Sequence, residues 1–466
     1  MAFFSLALCF LFLSHGSVAQ LGGSNGQRQP WLRGLEQQRQ FRQQRECRLQ
    51  SLSALRPSYQ VESEAGKVEL WDGDNEQLRC AGVAVVRYTI KPRGLLLPFM
   101  DNAAHLVYIL QGRGFFSQVF PGCPESYQSY RQPREGEQEE GPKRQTIDEH
   151  QRIVSFKKGD IIPGIQGVVR WYYNDGEEDA IAIGILDANN QANQLSNKPT
   201  TFRIAGNQRG DKGSKNLFNA FSDEYTAEAY AVAVETARKL RNVTSNRGSL
   251  VHVEDGLGVV KPPRSRQQEQ QQQQTTMNGL DETLCSERLK HGIDNRWRAD
   301  VYNPRAGRAT TVNSQKLPIL SHLRMSATRV VLYKNAMVVP HWHVNAHSIL
   351  YVTHGSGRVQ VVGEAGRAVF DGQVREGEVL VVPQHYVVLH KAGEDGFDFV
   401  AVKTHENAII SQVTGKNSAM SAMPRDVAAN AFGLSRAEAK RVKDNSRDDA
   451  YIVPPRQSST GGRVAE

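Results

Sequence analysis

The second half of this chain repeats the pattern of the first, and that repetition constrains its fold more than any other feature. Pro98 is followed by a polar bend and the run His105-Leu-Val-Tyr108-Ile-Leu-Gln-Gly112-Arg-Gly114. Pro340 is followed in the same way by Ser348-Ile-Leu-Tyr351-Val-Thr-His354-Gly355-Ser-Gly357, with the tyrosine again four residues before Gly-x-Gly. Lys158-Gly159-Asp-Ile-Ile then answers Glu376-Gly377-Glu-Val-Leu. Ala227-Glu-Ala229-Tyr230 with Ala237-Arg-Lys-Leu240 aligns without gaps onto Ala429-Asn-Ala431-Phe432 with Ala439-Lys-Arg-Val442. Three matched features in one order mean two homologous units.

Each unit reads as a β body followed by short helices. Between 336 and 390, β-branched and aromatic runs alternate with glycine-bearing turns, as antiparallel strands do, and no helix-period segment interrupts them. Such a pattern predicts a closed sandwich or barrel of the jelly-roll kind. After the second body, Ser435-x-x-Glu438 is a capping-box start for a short amphipathic helix. The extensions at 222–241 and 424–443 carry an apolar face that one barrel need not cover, so they are expected to meet on neighbouring subunits.

His341-x-His343, then Gly355, then Gly377 with Pro383 after five residues, resembles the two motifs of the cupin barrel. In metal-binding cupins that resemblance implies His, His and Glu from the first motif and His from the second. Here His341 and His343 match, but Ser348 falls at the Glu position and Val388 at the last His position. In the first unit Phe99 and Asp101 stand at the His-x-His positions and Arg170 replaces the second-motif His, so that barrel is expected to be metal-free.

Residues 1–19 read as a secretory signal, with an apolar core from Phe3 to Leu13 too short to span a membrane and small residues before a cut between Ala19 and Gln20. Of five cysteines, Cys9 leaves with the signal. Cys47, Cys80, Cys123 and Cys285 remain in an oxidising compartment, and sequence alone permits three pairings. The net charge is +8, but the basic residues are scattered among acidic ones. That is a solvated surface rather than a nucleic-acid footprint, and no later run is long enough for a membrane anchor. Residues 131–150 read as a charged loop inside the first barrel. The linker holds Pro262-Pro263 and the Gln-rich run 267–274, which cannot build a core, and ends at Asn278-Gly279. An exposed segment of this kind is where a processing protease cuts.

Longer motifs name a family. Asn278-Gly-Leu-Asp-Glu-Thr-Leu-Cys285 and Arg298-Ala-Asp-Val-Tyr-Asn-Pro-Arg-Ala-Gly307-Arg resemble the start of the basic chain of 11S globulins, the legumin-type seed storage proteins. Cys80-Ala-Gly-Val-Ala, Gly94-Leu-Leu-Leu-Pro98 and Phe120-Pro-Gly-Cys123-Pro-Glu resemble the acidic chain, so the similarity runs from about Cys47 to Asn445. The resemblance implies a mainly β bicupin fold: two jelly-roll β-barrels, each followed by a helical extension. It implies that an asparaginyl endopeptidase cuts the Asn278–Gly279 bond after the precursor assembles as homotrimers, and that the cut lets trimers pair into hexamers. It pairs Cys47 with Cys80, and Cys123 with Cys285 across the cut, and it places the protein in the storage vacuole (protein body) of an allergen-like family.

The domain plan that follows is signal 1–19, Gln/Arg-rich arm 20–46, first barrel with its extension (acidic chain) 47–250, linker and processing site 251–278, second barrel with its extension (basic chain) 279–450, and tail 451–466. The function expected is a nutrient reservoir for nitrogen, carbon and amino acids, with no catalytic residues and no cofactor. The alternative is a metal-binding cupin, either a passive Zn or Cu store or a weak oxidase or dioxygenase using His341 and His343. Seven of the thirteen histidines lie between His341 and His405. No metal is expected, but His341, His343, His347, His385 and His390 are the candidate positions, because imidazoles alone suffice for Zn or Cu. Asn242-Val-Thr244 is a glycosylation sequon.

Overall fold

Period-two burial marks strand Gly94–Asp101, with a change of phase at Pro98, whereas Val83–Ile90 has adjacent buried residues at Val85 and Val86. A computed structural model describes residues 49–125, 127–130, 147–196, 198–206, 215–241, 247–258, 284–445 and 450–455. The signal with Ala19 and Gln20, the arm, Cys47, the sequon at Asn242, the linker 261–277 and the Asn278–Gly279 bond lie outside them.

Two antiparallel sheets close the first barrel. One runs in the order Tyr59–Ser63, Gly66–Leu70, Val83–Ile90, Ala180–Asp187, Ala104–Gln111, Asp160–Gly164, His291–Gly292. The other runs Thr201–Arg203, Gly94–Asp101, Val169–Asn174, Arg113–Val119, Ile153–Lys157, with Leu250–His252 also on Gly94–Asp101. In the second barrel the equivalent strands are unbroken. Ser348–Val362 and Val387–Lys403 each continue through both faces, pairing along their length with register shifts beside Gly355. Gly112 and Gly355 hold positive φ (82° and 71°), and a Cβ on Gly355 would meet the Gly396 carbonyl oxygen at 2.3 Å, so the Gly-x-Gly of each repeat is a steric requirement.

Three expectations are corrected. Residues 147–150 are not loop: Ile147–His150 pairs with Tyr127–Tyr130 as a hairpin. The tail does not begin at 451, because Ile452–Val453 adds to strand Met337–His343 and Tyr451 enters the barrel. The barrels also exchange edges. Leu55 pairs with Val379 of the second barrel (Leu55 N to Val379 O 2.7 Å, and the reverse 2.9 Å), while His291–Gly292 pairs with Asp160–Gly164 of the first. Chain order alone assigns each of those segments to the other body.

Each barrel is followed by a matched helix pair. Asp223–Tyr230 is capped by Ser222 and Arg436–Asp444 by the Ser435/Glu438 capping box, with both reciprocal bonds formed. The first helices end at equivalent left-handed residues, Ala231 and Gly433. Small buried residues seat both extensions, Ala227 and Ala237 in one and Ala428 and Ala439 in the other.

Candidate functional site in the barrel interiors

The cupin ligand positions of both barrels point inward, and the strand register confirms their equivalence: Arg170 lies opposite Phe99, as Val388 lies opposite His341. In the first barrel these positions hold an ion pair. Arg170 Nη2 donates to Asp101 Oδ2 at 2.5 Å, with the arginine side chain wholly buried and the aspartate 4 % exposed. Thr201 donates to the other carboxylate oxygen at 2.5 Å, and Arg170 Nη1 donates to the carbonyls of Ile165 and Val168. The guanidinium also lies 5.0 Å from the Phe99 ring centroid, so Arg170 meets both of the other residues that replace the metal ligands. Beside them a cavity of about 30 Å³, lined by Tyr88, Phe99, Asp101, His105 and Tyr172 among apolar side chains, has room for about two waters. Burial pushes the Tyr172 phenol up to about 12 and holds His105 well below the usual imidazole range.

The second barrel is built differently. His341 and His343 alternate onto the inner face of strand Met337–His343, and both are buried. His390, two residues beyond Val388 on the facing strand, joins them, with ring centroids 5.5 Å (His341–His343) and 5.7 Å (His341–His390) apart. His341 is fully engaged. Its Nδ1 lies 2.9 Å from the Val339 carbonyl, which only accepts, so Nδ1 carries the proton and Nε2 accepts from the Tyr451 hydroxyl at 3.2 Å. Nδ1 of His343 and of His390 is buried with no partner among the described residues.

Two of the five candidate histidines do not join the cluster. His385 adopts a positive φ of 70°, stands exposed, and turns Nε2 to the Val344 carbonyl at 3.0 Å. The ring of His347 accepts from the Gln384 backbone N–H at 3.2 Å. Among the described residues no group of three His, Cys, Asp or Glu is placed to hold a metal ion. Ser348, at the missing carboxylate position, is aligned across the strands with buried Lys403, whose Nζ donates to the Ala401 carbonyl at 3.3 Å. An amine thus stands where a metal site needs negative charge. Burial lowers Lys403 to about 7 and His341 to about 4, and burial together with Lys403 puts His343 well below the imidazole range; His390 is likewise low. Sequence reading passed over Lys403 and Tyr451. Alternation did place Lys403 on the face of Phe397, Phe399 and Ala401, but a single lysine at a strand end carries no motif.

Cys123 and Cys285 form a disulfide, 162 residues apart in sequence. Cys80 is also disulfide-bonded.

The chain is similar to known proteins over nearly its whole length. A cupin family model matches residues 52–238 and 291–440. Cocosin 1 of Cocos nucifera is 46 % identical over 464 residues, covering 98 % of each chain. The 11S globulin seed storage protein Ana o 2.0101 of Anacardium occidentale is 42 % identical over 462 residues, covering 95 % of this chain and 96 % of that one. This chain belongs to the 11S globulins. The crystal structure of coconut allergen cocosin covers 88 % of this 11S globulin and all of its own chain, with a TM-score of 0.80 at 46 % identity. The 11S globulin fold therefore accounts for the two jelly rolls, and in this member the first-barrel ligand positions hold an ion pair and the second an imidazole cluster.

Proposed function

We propose that this 11S globulin is a seed nutrient reservoir without catalytic activity, carried through the secretory pathway to a protein storage vacuole. The observation that carries the reading is what occupies the cupin ligand positions. A buried Asp101–Arg170 pair blocks one barrel, and the other sets Lys403 across from Ser348 where a counter-charge to a metal belongs. Both are packing solutions. A weak oxidase using His341 and His343 would need an open coordination position, whereas His341 has both nitrogens engaged. Among the described residues, no helix is long and apolar enough to cross a membrane.

The precursor assembles with itself as a trimer and, once an asparaginyl endopeptidase cuts Asn278–Gly279, as a hexamer of disulfide-linked acidic and basic chains, with Cys47 bonded to Cys80. Support for self-association comes from equivalent exposed apolar residues on the two extensions: Tyr225 with Val427, Tyr230 with Phe432, and Leu240 with Val442. Head-to-tail contact of two such faces closes a ring when the rotation allows. The test is Asn278→Ala. Its product should stay one chain under reduction and sediment as a trimer, and hexamers of uncut variant would refute the order of events.

A further inference from the structure

The second barrel keeps three imidazoles and one amine in its interior with no carboxylate among the groups that act on them. Beyond its own backbone carbonyls, the cluster meets Tyr451, Phe397 and Phe399, with the His390 ring 5.0 Å from Phe399 and 6.4 Å from Phe397. The titratable groups facing His343 are Lys403, His341, His390 and His347. Those facing His341 and His390 are Lys403 and, for His390, His341. From the remaining strands packed here, Gln412 lies opposite His341 and Ser348 opposite Lys403. The three acids on the same long strand lie elsewhere: Asp398 pairs with Arg329, Glu394 pairs with Lys334, and Asp395 is exposed. The equivalent positions of the first barrel hold Phe99 and the Asp101–Arg170 pair, with no imidazole among them.

We propose that this cluster is an acid-sensitive release built into one barrel only: protonation of His341, His343 and His390 opens the second barrel while the first stays closed. An imidazolium in this interior would face Lys403, other imidazoles and aromatic rings, and would find no anion. The sign follows from linkage. Each ring binds its proton less readily in the fold than in the unfolded chain, where its ordinary value is about 6.5. Stability is therefore full above pH 6.5 and is lost as pH falls towards the folded value, about 4 for His341. Lys403 contributes its own slope only between 10.5 and about 7, so below pH 7 it is a fixed positive charge beside the rings. Among the described residues the first barrel has one imidazole held well below the usual range, His105, and a second, His291 on its edge strand, that burial also lowers. Three protons taken up on opening make the opening equilibrium constant rise by up to about 1,000-fold per pH unit between 6 and 4, against at most about 100-fold for the two of the first barrel. Using this opening to expose a reserve to proteases rests on the storage reading; the switch itself does not, so its failure would leave that reading intact.

Hydrogen exchange of the full-length protein between pH 7.5 and 4.5, corrected for intrinsic rates, tests it. Strands Met337–His343 and Val387–Lys403 should lose protection before Ala104–Gln111 and Ala180–Asp187. In His343→Leu/His390→Phe the pH dependence of opening should fall by about 100-fold per pH unit. The first barrel opening first, or a double variant as acid-sensitive as the parent, would overturn the proposal. If the double variant does not fold, His390→Phe alone should lose about tenfold per pH unit, and an unchanged slope there counts equally against it. NMR titration of the unsubstituted protein gives a readout free of variants: cluster rings that titrate near 6.5 in the folded state would also overturn it.

Discussion

Arg170 is the largest fully buried side chain among the described residues, and its charge is balanced by one carboxylate, Asp101. Desolvating both ions is costly, so the pair adds little over an apolar pair of similar volume; breaking it is what destabilises. Arg170→Met should leave a buried, unmatched Asp101 and cost about 3–5 kcal/mol in urea unfolding. Asp101→Leu combined with Arg170→Met should recover most of that loss, because no charge is then stranded. A double variant as unstable as the single one would show that Asp101 is held for its bond from Thr201 instead. At the same scale the second barrel makes the opposite choice, neutral imidazoles in place of an ion pair, and so ties its stability to pH.

At the scale of elements, the helical extensions are seated by alanines and leave their larger apolar residues outside. Tyr230 and Phe432 are 56 % and 57 % exposed at equivalent positions, a match that a free surface has no reason to keep. Tyr230→Glu or Phe432→Glu should shift sedimentation from trimer to monomer, while changing the stability of the single chain by no more than about 0.5 kcal/mol, as surface substitutions do. Phe432→Leu should remain trimeric. A glutamate variant that still sediments as a trimer would place the contact on another face.

The whole molecule is interlocked. One continuous core includes Leu78, Leu106 and Ile183 of the first barrel with Met325, Ile349 and Val400 of the second. Trp71 packs edge-on against Tyr351 at 6.2 Å, and Arg87 donates to the Tyr351 hydroxyl at 3.2 Å. From the other direction, Asp294 accepts from Tyr108 and from Arg329, both at 3.1 Å. With edge strands exchanged as well, a cut in the linker and loss of the Cys123–Cys285 bridge would still leave the halves joined. Cut, reduced protein should elute as one particle in size exclusion under native conditions. Its unfolding should become easier by about 2–5 kcal/mol, the usual contribution of a native bridge in a secreted domain. Separation of the two chains by reductant alone would show that the disulfide, not the interlock, holds them.

Much of this fold was legible because it rests on local rules. Period-two burial, glycines where no Cβ fits, and the capping box at Ser435 each depend on residues a few positions apart, and repetition let one half check the other. The replaced cupin ligands were legible for the same reason, since Phe99, Asp101, Arg170, Ser348 and Val388 sit at fixed offsets from the glycines. Sequence could not say what those replacements do. That Arg170 meets Phe99 and Asp101, that His390 joins His341 and His343 while His385 turns away, and that Lys403 and Tyr451 complete the cluster depend on side chains far apart in sequence, 69 residues for Asp101 and Arg170 and 110 for His341 and Tyr451. The exchange of edge strands is of the same kind: Leu55 and His291 carry local signals for a strand, but which sheet has an open edge to receive them is decided only when both barrels have closed.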